Sequence, residues 1–178
     1  MMDNGEAFLA DARRLLASDY LPKIERCLEK LDDEQVWWRA GAESNSIGNL
    51  LLHLSGNARQ WVVSGIGGTA DERTRQAEFD ARAGSARTEL LERLRATLAD
   101  VDAVLARVEP ARLLERRRIQ ESEVSVLEAI FHVVEHFSMH TGQIILLTKM
   151  LTQSDLRFYD FSTGAPLPKW NEKSVDDI

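Results

Sequence analysis

Cysteine is nearly absent from this chain. Cys27 stands alone among 178 residues, so no internal disulfide framework can staple the fold. Only four prolines occur, and of these Pro22 alone falls inside a periodic apolar segment, so long helices can run with little interruption. There is no stretch of about 18 apolar residues, which argues against a membrane-spanning helix. Excess positive charge is missing too: 22 Lys and Arg face 29 Asp and Glu, a formal charge of −7. A nucleic-acid surface would want the opposite sign. No charged-then-apolar leader opens the sequence, which predicts a cytosolic protein. Histidine is scarce, with four residues in all, and their placement carries most of the information.

A hydrophobic content of 44% is enough for a sizeable core in a chain of this length, so one domain is expected over 1–178. Its core should span about 6–152, with 153–178 a tail packing on the bundle or on a partner. Four segments have a period near 3.6 residues. The first, Glu6 to Lys30, carries Phe8, Leu9, Ala12, Leu16, Ile24 and Leu28 on one side, with a kink or break expected between Asp19 and Pro22. Cys27 on this helix reads as a small buried hydrophobe rather than a metal ligand. The second, Ser46 to Ser64, has Ile47, Leu50, Leu51, Leu54, Ala58 and Trp61 at helical spacing, Ser44 or Ser46 as N-cap and Gly65 as stop. The third runs from Ala86 to Val108 and is stopped by Pro110.

The fourth, Ser125 to Leu151, organises the rest. Ser125 and Glu128 form a capping box at its start, and no proline follows. Its polar arc is narrow, made of Glu128, Glu135, Ser138, Gly142 and Lys149, so the helix should be buried on most sides. His136 and His140 are four residues apart and share a face with Ala129, Val133, Gln143 and Leu147. An unsatisfied polar group in a core costs about 1–3 kcal/mol, so two buried imidazoles need partners. One divalent ion is such a partner, since i,i+4 spacing brings side-chain bases to about 5–6 Å. Hydrogen bonds to Gln143, hydroxyl groups and water are the other. His53, on the edge of the second helix's apolar stripe, is open to the same two readings, and its coincidence with the pair brings the metal reading level with the other.

The connectors are polar. Leu31 to Ser44 carries Trp37 and Trp38; adjacent residues cannot both face one core, so one should plug the bundle end and the other line a pocket or contact. Arg39 is either an anion contact or solvated. Gly65 to Ser85 is long and charged and lacks the strand context of a phosphate loop. Its length suits a crossover between parallel neighbours, with Phe79 pinning it to the core. Ala111 to Glu123, with Arg116, Arg117 and Arg118, reads as a solvated loop.

NSIGNLLLHLSGN around His53, the charged segment ERTRQAEF at Glu72 to Phe79, and VVEHFSMHTGQI around His136 and His140 resemble the DinB/YfiT-like superfamily, in an uncharacterised bacterial branch. The resemblance runs from Phe8 to about Tyr159. It implies an all-α fold, a four-helix bundle of DinB/YfiT type with a long crossover connection, in a homodimer. It also implies a divalent metal, zinc or nickel by ligand type, on His53, His136 and His140. His132 would be a core or supporting residue, while Asn57 and Gln143 would orient ligands from behind. Some relatives are transferases that use low-molecular-weight thiols, which makes a thiol-dependent transferase or hydrolase acting on a small molecule the enzyme reading. A non-catalytic metal-binding or dimeric interaction module is the alternative. Di-iron chemistry is disfavoured, because Phe131 and Ser138 stand three residues after Glu128 and Glu135, where histidine would be needed. No carboxylate stands out as a general base.

Overall fold

The computed structural model describes residues 3–171; the last seven residues of the expected tail, 172–178, lie outside them. Four long helical rods form the body. In the first, α1 (Asn4–Leu15) passes through a π-helical turn at Leu16–Tyr20 into α2 (Leu21–Glu29). Pro22 lies in the first turn after that widening, where its missing N–H costs least. The chain is unbroken there, and the irregularity expected between Asp19 and Pro22 takes the form of this π-helical turn. Asp3 caps its start in a capping box with Glu6, and Leu9, Ala12, Leu16, Ile24, Cys27 and Leu28 form its buried stripe. Burial raises the Cys27 thiol pKa to about 12, so the group stays protonated and inert.

A short α3 (Asp33–Trp37) leads to α4 (Ile47–Ala58), which runs on through a second π-helical segment at Arg59–Ser64. Ser46 is its N-cap, paired with Asn49. The element ends at Ser64 with Gly65 as its C-cap, where the stop was expected, and the turn that follows reaches the left-handed region at Gly68, φ +83°, which only glycine enters without cost. The long connection contains α5 (Arg75–Asp80), followed by α6 (Arg87–Leu105), whose buried stripe is Leu90, Leu94, Leu98, Val101 and Leu105. A hairpin then joins β1 (Arg116–Ile119) to β2 (Ser122–Ser125), with Arg116 opposite Ser125 and Ile119 opposite Ser122. Finally α7 (Val126–Thr152) starts at the Ser125–Glu128 capping box.

The basic loop of the sequence reading is thus a hairpin, and its arginines are occupied. Arg116 meets Glu128, Arg117 meets Glu115, and Arg118 meets Glu121. Its turn residues, Gln120 and Glu121, both have positive φ.

Paired contacts give the directions. Trp37 packs on Gly48 at the start of α4 and donates from Nε1 to the Ser85 carbonyl just before α6, at 2.9 Å. Beyond the far end of the same rod, Gly67 lies against Val104 near the end of α6. The α4 and α6 rods are therefore parallel neighbours, and the connection between them must return the length of the bundle. By contrast α4 and α7 run antiparallel, with Asn57 against His132 and His53 against His140. Trp37 is the tryptophan that plugs the end, and Trp38 remains exposed.

Past α7, Leu156 is buried and the chain is clasped by Arg26, which donates to the carbonyls of Arg157 at 3.0 Å and Lys169 at 2.6 Å. The tail contains a two-residue pairing of β3 (Tyr159–Asp160) with β4 (Leu167–Pro168). Trp170 donates to the Ser18 carbonyl and lies under the Lys23 ammonium. Arg39 turns inward and donates to Ser44, Asn49, Phe79 and Ala81. It is neither a solvated residue nor an anion contact. The expectation that α7 is covered on most sides also fails: Phe131, Met139, Leu146 and Met150 are each more than half exposed. The bundle covers only the sides of α7 that face the first rod and α4. No helix among the described residues is long and apolar enough to cross a membrane.

Candidate metal centre

Antiparallel packing of α4 on α7 brings three histidines to one place. Ring centroids lie 4.4 Å apart for His136 and His140, 4.8 Å for His53 and His136, and 5.3 Å for His53 and His140. One nitrogen from each falls within 4.8 Å of the others. Nitrogens sharing one ion at about 2.0–2.1 Å with tetrahedral angles sit about 3.4 Å apart, so small rotations of the rings would close the group. His53 and His140 are buried and His136 is half-buried.

The protonation pattern of the rings follows from their partners. His140 Nδ1 lies 2.6 Å from Gln143 Oε1; the amide oxygen can only accept, so Nδ1 carries the proton and Nε2 keeps its lone pair. His53 Nδ1 lies 2.9 Å from Glu78 Oε2 and 3.1 Å from Arg73 Nη2. Arg73 already donates to both oxygens of Glu78, from Nε at 2.7 Å and Nη2 at 2.9 Å. A carboxylate can only accept, so His53 donates Nδ1–H to it and again keeps Nε2 free. The Nε2 atoms of His136 and His140 are buried without a hydrogen-bond partner among the described residues. Two orphaned nitrogens on adjacent rings are what a set of metal ligands without its ion looks like.

Electrostatics favour the neutral imidazoles that a metal needs. Burial, reinforced by the His140, His53 and His132 rings, pushes the His136 pKa down to about 3. Burial also lowers His140, against the pull of Gln143, and lowers His132, against the charge of Glu135. Burial alone would raise the pKa of Glu78, but hydrogen bonds from Arg73 and His53 outweigh it and hold the carboxylate below its usual value.

A pH dependence follows. In the unfolded chain histidines bind protons near pH 6.5, whereas the folded rings resist to lower pH. Between those values the unfolded state holds more protons, so stability falls as the pH falls. Glu78 adds to the same trend lower down, as the pH drops through its folded value. Urea unfolding of chelator-treated protein should lose on the order of 1 kcal/mol per pH unit for each neutral histidine below pH 6.5. The loss should be shallower in His136→Ala, and equal slopes in the two proteins would contradict this account.

The other residues expected at the site fall around it. His132 stacks on Trp61 at 4.1 Å and on His136 at 5.4 Å. Its Nε2 accepts from Asn57 Nδ2 at 3.1 Å, so Asn57 braces His132 rather than any of the three grouped histidines. Gln143 does contact one of them. Glu135 is exposed.

Sequence reasoning missed Glu78. It is buried, on the inward side of α5, in the connection expected to be merely solvated. Phe79 beside it packs on the His53 ring at 4.7 Å. The segment is pinned from α4: Asn49 Nδ2 donates to the Glu78 carbonyl at 2.7 Å and to the Ala81 carbonyl at 2.9 Å. The available signal was the ERTRQAEF stretch itself, where one carboxylate stands directly before the apolar Phe79.

The comparisons agree with this architecture. A family described as "Protein of unknown function (DUF1572)" matches residues 3–165. The crystal structure of a DinB-like protein from Bacillus cereus ATCC 10987 superposes with a TM-score of 0.63 at 16% identity, covering 85% of this chain and 95% of that one. At that identity the likeness is one of fold. None of the curated proteins compared matches significantly. With a bundle that shares the fold of a DinB-like protein and a family match over nearly its whole length, this chain belongs to the family described as "Protein of unknown function (DUF1572)".

Proposed function

We propose that His53, His136 and His140 hold one divalent metal ion, zinc or nickel, in a cytosolic enzyme that transfers a low-molecular-weight thiol or hydrolyses its substrate. The observation that supports this most directly is the pair of buried, unpartnered Nε2 atoms on His136 and His140. Leaving such acceptors unsatisfied costs about 1–3 kcal/mol each, and an ion would remove that cost. Three protein ligands leave a coordination position open, as catalytic sites do. When bound, the ion would lower the pKa of a coordinated water or thiol so that its anion is available near neutral pH.

The chain's own residues would do the rest. Glu78 and Gln143 would each accept a hydrogen bond from Nδ1–H and so fix which nitrogen His53 and His140 offer. His132, whose Nε2 is engaged by Asn57, braces the site and is not a ligand. The test is elemental analysis of untagged protein purified without chelator, beside a His53→Ala/His136→Ala variant. About one ion per chain, lost in the variant, is expected. Protein that contains no metal and refuses added zinc and nickel would refute the reading.

A dimeric interaction module is the second reading, favoured by the exposed apolar stripe of α7. Phe131, Met139, Leu146 and Met150 are spaced eight, seven and four residues apart along the helix, with Gly142 between them bordered by open space. Surfaces of this kind are normally covered. A second copy of the chain is the occupant proposed, and Met139→Glu/Leu146→Glu should convert a dimer to monomer in sedimentation without lowering metal content. A wild-type protein that sediments as a monomer would exclude it.

A further inference from the structure

The geometry points to Glu78, locked by Arg73, as the positioning residue that makes His53 a metal ligand. This inference rests on the three-histidine metal reading. Its basis is a chain of contacts that runs from the strap to the ring. Arg73 grips both oxygens of Glu78, and its Nη1 donates to Gln60 Oε1 at 2.9 Å. Glu78 Oε2 accepts a hydrogen bond from His53 Nδ1–H at 2.9 Å. Both partners of the ion pair are almost wholly buried.

The room for this arrangement is built into α4. A Cβ placed on Gly56 would overlap Glu78 Oε1 and sit 2.9 Å from Glu78 Cδ and 3.0 Å from Arg73 Nε. Any side chain there would exclude the carboxylate. On the other side, Asn49 and Arg39 hold the α5 carbonyls at Glu78, Phe79 and Ala81, so the carboxylate is set in place by backbone anchors as well as by its own charge. An ion pair buried merely for stability is a weak device. A carboxylate that polarises a metal-binding imidazole from behind has a stated effect: it fixes the tautomer and raises the basicity of the nitrogen that faces the ion. Arg73 keeps that carboxylate ionised in its buried position.

Glu78 thus acts on the ion only through His53, and a double-mutant cycle reads this directly. Zinc affinity would be measured by competition with a chromophoric chelator for wild type, Glu78→Gln, His53→Ala and the double variant. Glu78→Gln should bind zinc about 10- to 100-fold more weakly. In the His53→Ala background the same change should have no further effect, and Glu78→Asp should recover part of the loss. The long-range nitrogen–proton spectrum of metal-free wild type should show His53 as the Nδ1–H tautomer.

Equal affinities of wild type and Glu78→Gln would overturn the inference. So would additive losses in the cycle, which a general loosening of the fold would produce. Failure of wild type itself to bind zinc would instead remove the metal reading, a result distinguishable from either.

Discussion

In the His136→Ala variant, saturating zinc should leave the melting temperature unchanged, whereas in the wild type it should raise it by roughly 10 °C. The size follows from linkage: a ligand at about a thousand times its dissociation constant adds about 4 kcal/mol, and in a domain of this size each kcal/mol is worth about 2–4 °C. His136 is the residue to remove because its Nε2 is buried and without a partner among the described residues, and because the rings of His53 and His140 both contact it. His132→Ala is the control. It removes a ring whose Nε2 is engaged by Asn57, so it should lose stability through Trp61 packing yet keep the zinc-induced rise. Differential scanning calorimetry with and without chelator separates the two. Loss of the zinc response in both variants to the same degree would sink the ligand assignment.

Gly56→Ala is expected to be strongly destabilising. The new carbon would overlap the Glu78 carboxylate, which cannot retreat without leaving Arg73 and His53. Breaking a buried ion pair costs about 3–5 kcal/mol, so a fall in melting temperature of about 10 °C or more is expected in chelator-treated protein. Gly142→Ala, where the added carbon meets open space, should be neutral to stabilising, since alanine is the better helix former by about 1 kcal/mol. A Gly56→Ala protein as stable as wild type would mean that the Arg73–Glu78 pair does not hold the strap.

The bundle was legible in the sequence because its signals are local. Ser46 and Ser125 announce helix starts, and the apolar stripes of the first, third and fourth rods have the period of a helix. His136 and His140 could be paired by counting four residues. Glu78 could not be found in this way. It lies 25 residues from His53, among Asp71, Glu72 and Asp80, and nothing in its immediate surroundings separates an inward carboxylate from solvated ones. Only the Gly56 gap, on another element, makes the difference. The hairpin was hidden for a different reason: its turn uses Gln120 and Glu121 at positive φ, where the recognisable residues would be asparagine and glycine. The exposed stripe of α7 was misjudged because apolar periodicity tells that a face will be covered and not by what.

The parallel course of α4 and α6 has a consequence for how the protein opens. The four rods contain their own hydrogen bonds, whereas the stretch that brings Arg73 and Glu78 is held against them chiefly by side-chain clasps that involve Arg39, Asn49 and Gln60. Such a flap belongs to the least protected units of a fold. Ion entry and release would then be governed by the lifting of a short strap while the bundle beneath stays closed, and hydrogen exchange at 74–81 would report the rate.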